Sequence, residues 1–401
     1  MAATLESLAA PSAGFLRGLR NRKGDPVSNA RRRLLEVAHH GSLTLAGLGE
    51  LEVLHSGDQH FERLLAAFET ARIELSVEIY QVRRDAVGQR LLDGLARAAE
   101  RGVRVRLLLD TFGSAPIVDW ILAIRRRGVD ARWYGSPNRW ASPLRRTHRK
   151  LVVADGQVAT LGGINFAAEF SEAIHGQRTW RDMAIWFRGA AAAVLRRQFE
   201  GAWQAEGGEP GGFLPVDATS DHLVGLAGGD DGRRGHAAAW HAMVACARHE
   251  VLLATPYFLP DRPFRARLVD AVARGVRVVV VIPRRSDIRW YMHAGRRAYD
   301  GLLRAGVEIW ERDDRMVHAK VGVADGVVGA VGSANLNRRS FYGNGETLMV
   351  STASELVEGI RSLIIDEAQP VAEVLHAPDW SRHPSRVRWA ELLAAPMTVM
   401  F

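Results

Sequence analysis

From residue 51 onward, apolar positions recur in two alternating rhythms. Phe61, Leu64, Leu65 and Phe68 repeat at helical spacing and predict an amphipathic helix over 58–71. Ile73-Glu-Leu-Ser-Val-Glu-Ile-Tyr80 alternates with period two and predicts a strand. The exchange continues as a helix over 87–100, a strand over 103–109, a helix over 117–127 and a strand over 130–134. Strands alternating with helices predict an α/β sandwich.

The second half repeats this order. Arg274-Gly-Val-Arg-Val278 answers Arg101-Gly-Val-Arg-Val105 at an offset of 173 residues, and Gly306 answers Gly128 at 178. A near-constant offset marks a duplicated domain. Glu206-Gly-Gly-Glu-Pro-Gly-Gly212 has the composition of a joint between the copies. The reading is therefore a basic, irregular N-terminal extension over 1–50, a first repeat over 51–205, a Gly/Pro-rich linker over 206–222, a second repeat over 223–370 and a C-terminal tail over 371–401.

Composition narrows the chemistry. The chain has 401 residues, 47% apolar and 24% charged, with a net charge of +8. That excess favours anionic surroundings such as lipid headgroups, nucleic acid or phosphate-bearing substrates. A single cysteine, Cys246, excludes an intramolecular disulfide and a cysteine-based zinc cluster. With no run of eighteen apolar residues and no secretory signal pattern, the expectation is a cytoplasmic protein peripheral on the inner face of the cell membrane.

The lysines are the sharpest signal. Of 53 basic residues only Lys23, Lys150 and Lys320 are lysine, and two of these stand in His148-x-Lys150 and His318-x-Lys320. Arginine and lysine are not interchangeable where a compact point charge is needed. Each lysine is followed five residues later by an acid, Asp155 or Asp325, and then by Gly162-Gly163-x-Asn165 or Gly332-Ser333-x-Asn335. In a strand, residues i and i+2 share a face, so His-x-Lys presents an imidazole and an ammonium together. Asp-Gly predicts a hairpin turn that returns the glycines and asparagine beside the pair. Lysine and asparagine suit non-bridging phosphate oxygens, and histidine suits nucleophilic or acid–base work. Two copies facing each other supply both roles, with the lysines neutralising the phosphate and no metal or other cofactor required. The catalytic set expected is His148, Lys150, Asp155, His318, Lys320 and Asp325, with Asn165, Ser333 and Asn335 binding phosphate. The two Asp residues also read as hairpin-shaping residues. Asp182, 34 residues after His148, and Glu346, 28 after His318, occupy equivalent places and are expected to fix the imidazole tautomers.

At these residues the chain resembles the phospholipase D superfamily, with its duplicated His-x-Lys-x4-Asp motif. Within it, the chain is most similar to bacterial cardiolipin synthases, of the shorter type lacking N-terminal transmembrane helices. Glu78-Ile-Tyr80, Phe112-Gly-Ser114, Thr147-His-Arg-Lys150, Gly162-Gly-Ile-Asn-Phe166 and Val331-Gly-Ser-Ala-Asn-Leu336 carry that likeness. The resemblance implies a two-lobed fold with pseudo-twofold symmetry and one active site between the lobes. It implies phosphatidyl transfer through a phosphohistidine, with His148 as nucleophile and His318 as acid–base, and cardiolipin synthesis from phosphatidylglycerol. Phospholipase D hydrolysis, or a nuclease of the same superfamily, is the alternative. The partners implied are a phospholipid substrate and an anionic membrane surface, without nucleic acid; oligomeric state is not readable. Candidate membrane-docking elements are the basic arm around Arg17 to Arg33, the stretch Arg284 to Tyr291, and Pro396-Met-Thr-Val-Met-Phe401.

Overall fold

The computed structural model describes residues 26–41, 43–135, 146–212, 214, 222–228, 235–377 and 380. Two mixed sheets carry the fold. The first has seven strands, in spatial order Leu51–Leu54, Ala184–Arg188, Val158–Gly162, Lys150–Ala154, Glu74–Ile79, Arg104–Asp110 and Asp130–Tyr134. The second runs Thr44–Leu48, His222–Gly228, Thr347–Ser351, Val328–Gly332, Val321–Ala324, Glu250–Ala254, Arg277–Pro283, Glu308–Arg312 and Ala372–Leu375. Without its two edge strands, the second sheet matches the first strand for strand. The duplication in the sequence is thus a duplication of topology.

Helices cover each sheet on the outside. Gly57–Thr70 and Ala86–Glu100 bury Phe61, Leu64, Phe68, Leu91 and Leu95 against the first. Gly235–Cys246 and Arg262–Ala273 bury Trp240, Met243, Phe264 and Leu268 against the second. Between the sheets lies a third core, where the helices Ala190–Ala205 and Ser354–Arg361 meet strand residues of both lobes, among them Leu151, Val153, Val321 and Val331. Sheets covered on both faces explain one departure from the sequence pattern. All six positions of Glu74–Ile79 are buried, although the alternation predicts one solvated face. Its polar phase points at arginines: Glu74 pairs with Arg106 (3.2 Å) and Arg196 (2.6 Å), and Glu78 with Arg149 (3.3 Å).

The expected irregularity of residues 1–50 is corrected for its described part. Pro26–Gly41 is a helix, and Thr44–Leu48 pairs antiparallel with His222–Gly228 as an edge of the second sheet. Leu34, Val37 and Ala38 are buried at helical spacing, a signal that the surrounding arginines obscure. Arg33, assigned to a membrane-binding arm, is buried and ion-paired with Asp325. The second sheet also continues past residue 370, because Ala372–Leu375 pairs with Glu308–Arg312. The Arg17 end of the basic arm and the segment Pro396 to Phe401 lie outside the described residues.

Candidate active site

Each motif lysine sits at the open end of a hairpin. Leu151 faces Leu161 and Val321 faces Val331 in register. The returning strands therefore bring Gly162 and Gly332 opposite Lys150 and Lys320, and Gly332 N donates to Lys320 O at 3.2 Å. At the closed ends, Asp155 (φ 51°) and Gly156 (φ 68°), like Asp325 (φ 54°) and Gly326 (φ 63°), adopt the left-handed conformation that a tight hairpin turn of this kind requires.

The structure does not bring Asp155 and Asp325 to the histidines. Four strand residues, roughly 15 Å of chain, separate each acid from its lysine. Asp155 accepts the backbone N–H groups of Arg72 (3.0 Å), Ile73 (2.8 Å) and Glu74 (2.9 Å). Asp325 accepts those of Arg248, His249 and Glu250 at 3.0, 2.8 and 3.0 Å. These carboxylates clamp the start of the neighbouring strand to the turn. The grouping of both with the catalytic residues gives way to this hairpin-shaping role.

His148 and His318, from different lobes, open into one cavity of about 510 Å³. Each is served by the acid of the opposite repeat, whereas the sequence reading set each acid beside the histidine of its own. His148 Nδ1 lies 3.1 Å from Glu346 Oε2, and His318 Nδ1 lies 2.6 Å from Asp182 Oδ2. The exchange has a backbone cause. Gly345 pairs parallel with Thr147, and Arg181 with Val317, so the residue following each pair is an acid on one chain and a histidine on the other. His148 N donates to Gly345 O (2.8 Å) and His318 N to Arg181 O (2.7 Å). With Nδ1–H directed at a carboxylate, Nε2 is left with its lone pair for chemistry.

The half-sites differ in how the acid is held. Glu346 accepts from Ser333 Oγ (2.5 Å), Ser340 Oγ (2.8 Å) and Asn344 Nδ2 (3.3 Å). The shorter Asp182 lies over Gly163, where a Cβ would stand 2.3 Å from its Oδ2. Glycine at 163 and serine at 333 are thus each matched to the length of the acid above them. This assigns Ser333 to holding Glu346, a positioning part in place of direct phosphate binding.

Both lysines are buried beside the histidines. Lys150 Nζ donates to His148 O (2.6 Å) and lies 4.9 Å above the Tyr80 ring. Lys320 Nζ donates to His318 O and lies 2.6 Å from His318 Nδ1 and 3.6 Å from Asp182 Oδ2. Burial pushes the Lys150 ammonium well below its ordinary range, and Lys320 adds to the effect. Burial likewise brings Lys320 down to about 8. Burial also lowers His148 to about 4 and His318 to about 3, so both imidazoles are neutral near pH 7. Against the cost of burial, His148 holds Glu346 down at about 2, and Lys320 holds Asp182 below its usual range. Two buried lysines whose charged forms repel each other, beside neutral imidazoles, make a site that an arriving anion stabilises. Asn165 and Asn335 border the cavity, and the side-chain oxygen of each has no partner in the protein. Their carboxamides remain available to a ligand.

Several contributors escaped the sequence reading as functional residues. The Tyr80 ring packs 4.7 Å from His148, while Phe170 and Trp180 each lie 5.2 Å from His318. Arg149, between His148 and Lys150, points the other way, pairs with Glu78 and donates Nε to Glu346 O (3.2 Å). Its signal was present in the strand rule: if His148 and Lys150 share a face, the residue between them meets the core and needs a buried acid such as Glu78. Part of the proposed docking stretch, Asp287, Ile288, Trp290 and Tyr291, instead lines the cavity.

A duplicated α/β lobe that shares one histidine–lysine centre across its pseudo-twofold axis defines a phospholipase D-type enzyme. The chain belongs to the family described as cardiolipin synthase, PLD-like domain, whose model matches residues 64–203 and 241–365. It is 31% identical over 390 residues to a cardiolipin synthase of Geobacillus kaustophilus (strain HTA426), covering 91% of this chain and 75% of that protein. It is 34% identical over 317 residues to cardiolipin synthase A of Pseudomonas aeruginosa (strain LESB58), covering 77% of this chain but 64% of that protein. In fold it is similar to phosphatidylserine synthase from Haemophilus influenzae Rd KW20, with a TM-score of 0.68, 16% identity, and coverage of 93% of this chain and 99% of that one.

Proposed function

We propose that the chain transfers a phosphatidyl group between alcohols through a covalent phosphohistidine, making cardiolipin from phosphatidylglycerol. The observation that carries this is the pair of imidazoles in one cavity, each backed by a carboxylate from the opposite lobe. In the first step His148 Nε2 attacks phosphorus, and the bond to the leaving glycerol oxygen breaks. That oxygen takes the proton that His318 Nε2 acquires from solvent as the phosphodiester anion binds. In the second step the acceptor hydroxyl gives its proton to His318 and attacks phosphorus, and the phosphorus–nitrogen bond to His148 breaks. Lys150, Lys320, Asn165 and Asn335 hold the non-bridging oxygens, where charge builds in both steps.

The division of roles follows the surroundings. His318 lies among the rings of Phe170, Trp180 and Tyr257, at 5.2, 5.2 and 6.3 Å, and the arriving phosphate anion supplies the charge that favours its imidazolium. Glu346, held by three donors, fixes His148 rigidly for in-line attack. Lipid as substrate accords with Phe112, a cavity-lining side chain that is 65% exposed. Among the described residues no helix is long and apolar enough to cross a membrane.

The test is chemical trapping. Wild type quenched in denaturant during turnover of phosphatidylglycerol vesicles should carry an acid-labile adduct located on residue 148 by mass spectrometry, and His148→Ala should carry none. Wild type should release cardiolipin and glycerol. An adduct on any other side chain, or cleavage of DNA with no turnover of lipid, overturns the proposal.

A further inference from the structure

The basic row of the first repeat is longer than its motif. Arg146, His148 and Lys150 alternate, and an extended chain sets them on one face at roughly 6–7 Å per step. The second repeat has Met316 in the equivalent place. Across the lobe boundary, Asn344 pairs in register with Arg146, and Arg339 Nε donates to Asn344 Oδ1 at 3.2 Å. Two guanidiniums from different lobes thereby meet on one wall of the cavity that holds both histidines. The Arg146 guanidinium is steered by the Phe112 ring, 3.8 Å beneath it.

The rest of the lining offers little competing charge. Asp287, the one carboxylate among the described lining residues, already accepts from Tyr257 Oη at 2.8 Å. The arginine pair breaks the pseudo-symmetry, since the position matching Arg339 in the first repeat is Glu169, which is paired with Arg83. Burial, and then Arg146 itself, lower the Arg339 guanidinium. A bound anion would relieve both effects.

We infer that Arg146 and Arg339 form a second phosphate site, which holds the phosphate of the acceptor while its hydroxyl reaches the phosphoenzyme. The inference rests on the phosphatidyl-transfer reading and adds the acceptor's chemical class: an alcohol carrying an anionic phosphate one glycerol away from its reactive oxygen. The step from Arg146 to His148 along the strand matches that reach. Such a site selects phosphatidylglycerol over water and over neutral alcohols at the second step.

Partitioning of the phosphoenzyme tests this independently of how much of a variant is active. Wild type, Arg146→Gln, Arg339→Gln, the double variant and Arg339→Lys are given phosphatidylglycerol in mixed micelles with labelled glycerol or labelled glycerol phosphate. Cardiolipin and the two labelled products are each divided by the phosphatidic acid formed from water. The double variant should lower the preference for both anionic acceptors over glycerol by about tenfold or more, as expected for loss of charge-assisted contacts. Arg339→Lys should recover part of it. Equal losses with glycerol and glycerol phosphate overturn the inference, as does a loss confined to cardiolipin, which would mean contact with the lipid surface. If wild type forms neither cardiolipin nor phosphatidic acid, the phosphatidyl-transfer reading itself fails and this inference with it. If wild type forms cardiolipin and the variants keep its selectivity, only the second site falls.

Discussion

Gly163 should be as important to the reaction as a residue that touches substrate. A Cβ added there would stand 2.3 Å from Asp182 Oδ2 and 2.5 Å from Oδ1. Carbon–oxygen contact becomes comfortable only beyond roughly 3.4 Å, so the carboxylate must retreat by about 1 Å. The His318 Nδ1–Asp182 Oδ2 bond, 2.6 Å long, would then stretch past hydrogen-bonding range. Loss of a charge-assisted bond of about 1.5–3 kcal/mol corresponds to roughly a 10- to 100-fold slower reaction. Gly163→Ser should show that loss. Gly163→Ser combined with Asp182→Glu rebuilds the Ser333–Glu346 arrangement and should recover part of the rate. Full recovery is not expected, because the position matching Ser340, which donates to Glu346 at 2.8 Å, is Phe170. Initial rates of cardiolipin formation, with circular dichroism melts to confirm folding, decide the matter. A Gly163→Ser enzyme as fast as wild type would refute the steric argument. A double variant slower than both singles would refute the matching of acid length to residue 163.

Two further outcomes follow from the hairpin turns and the buried histidines. Asp155→Ala removes the acceptor of three backbone N–H groups and forces alanine to φ 51°; chemical denaturation should show a loss of about 2–3 kcal/mol, while kcat per folded molecule persists, and an early collapse of kcat would return Asp155 to the chemistry. Acid should destabilise the protein well above carboxylate pH. Burial lowers His60 to about 4 from an unfolded value near 6.5, so the unfolded chain takes up protons that the folded one refuses, and stability falls as pH drops from about 6.5 to 4, by about 3 kcal/mol for His60 alone. Urea midpoints between pH 7.5 and 4.5 should decline less steeply in His60→Gln than in wild type; parallel declines would reject that assignment.

The repeated frame was legible because each of its parts is local. The hairpin geometry around Lys150 and Lys320 follows from strand alternation and Asp-Gly turns, and those elements fall within a residue or two of their expected limits. The acids Asp182 and Glu346 were legible as residues and as roles, but not as pairs. Which histidine each one serves is decided by two short parallel bridges between lobes, at Thr147 and Val317, and nothing within either repeat encodes them. The helix Pro26–Gly41 was missed because arginines crowd its apolar stripe, and the strand Thr44–Leu48 because its partner lies far along the chain. Arg339 was passed over because a single arginine in a basic chain has no distinguishing local pattern.

The exchange of carboxylates has a bearing on how the enzyme comes into being. While synthesis has proceeded only through the first lobe, the growing chain holds His148 without Glu346 and holds Asp182 without a ring to orient. A half-made molecule therefore has no tuned imidazole at all. Competence requires both lobes together, because each supplies the acid that orients the other's ring.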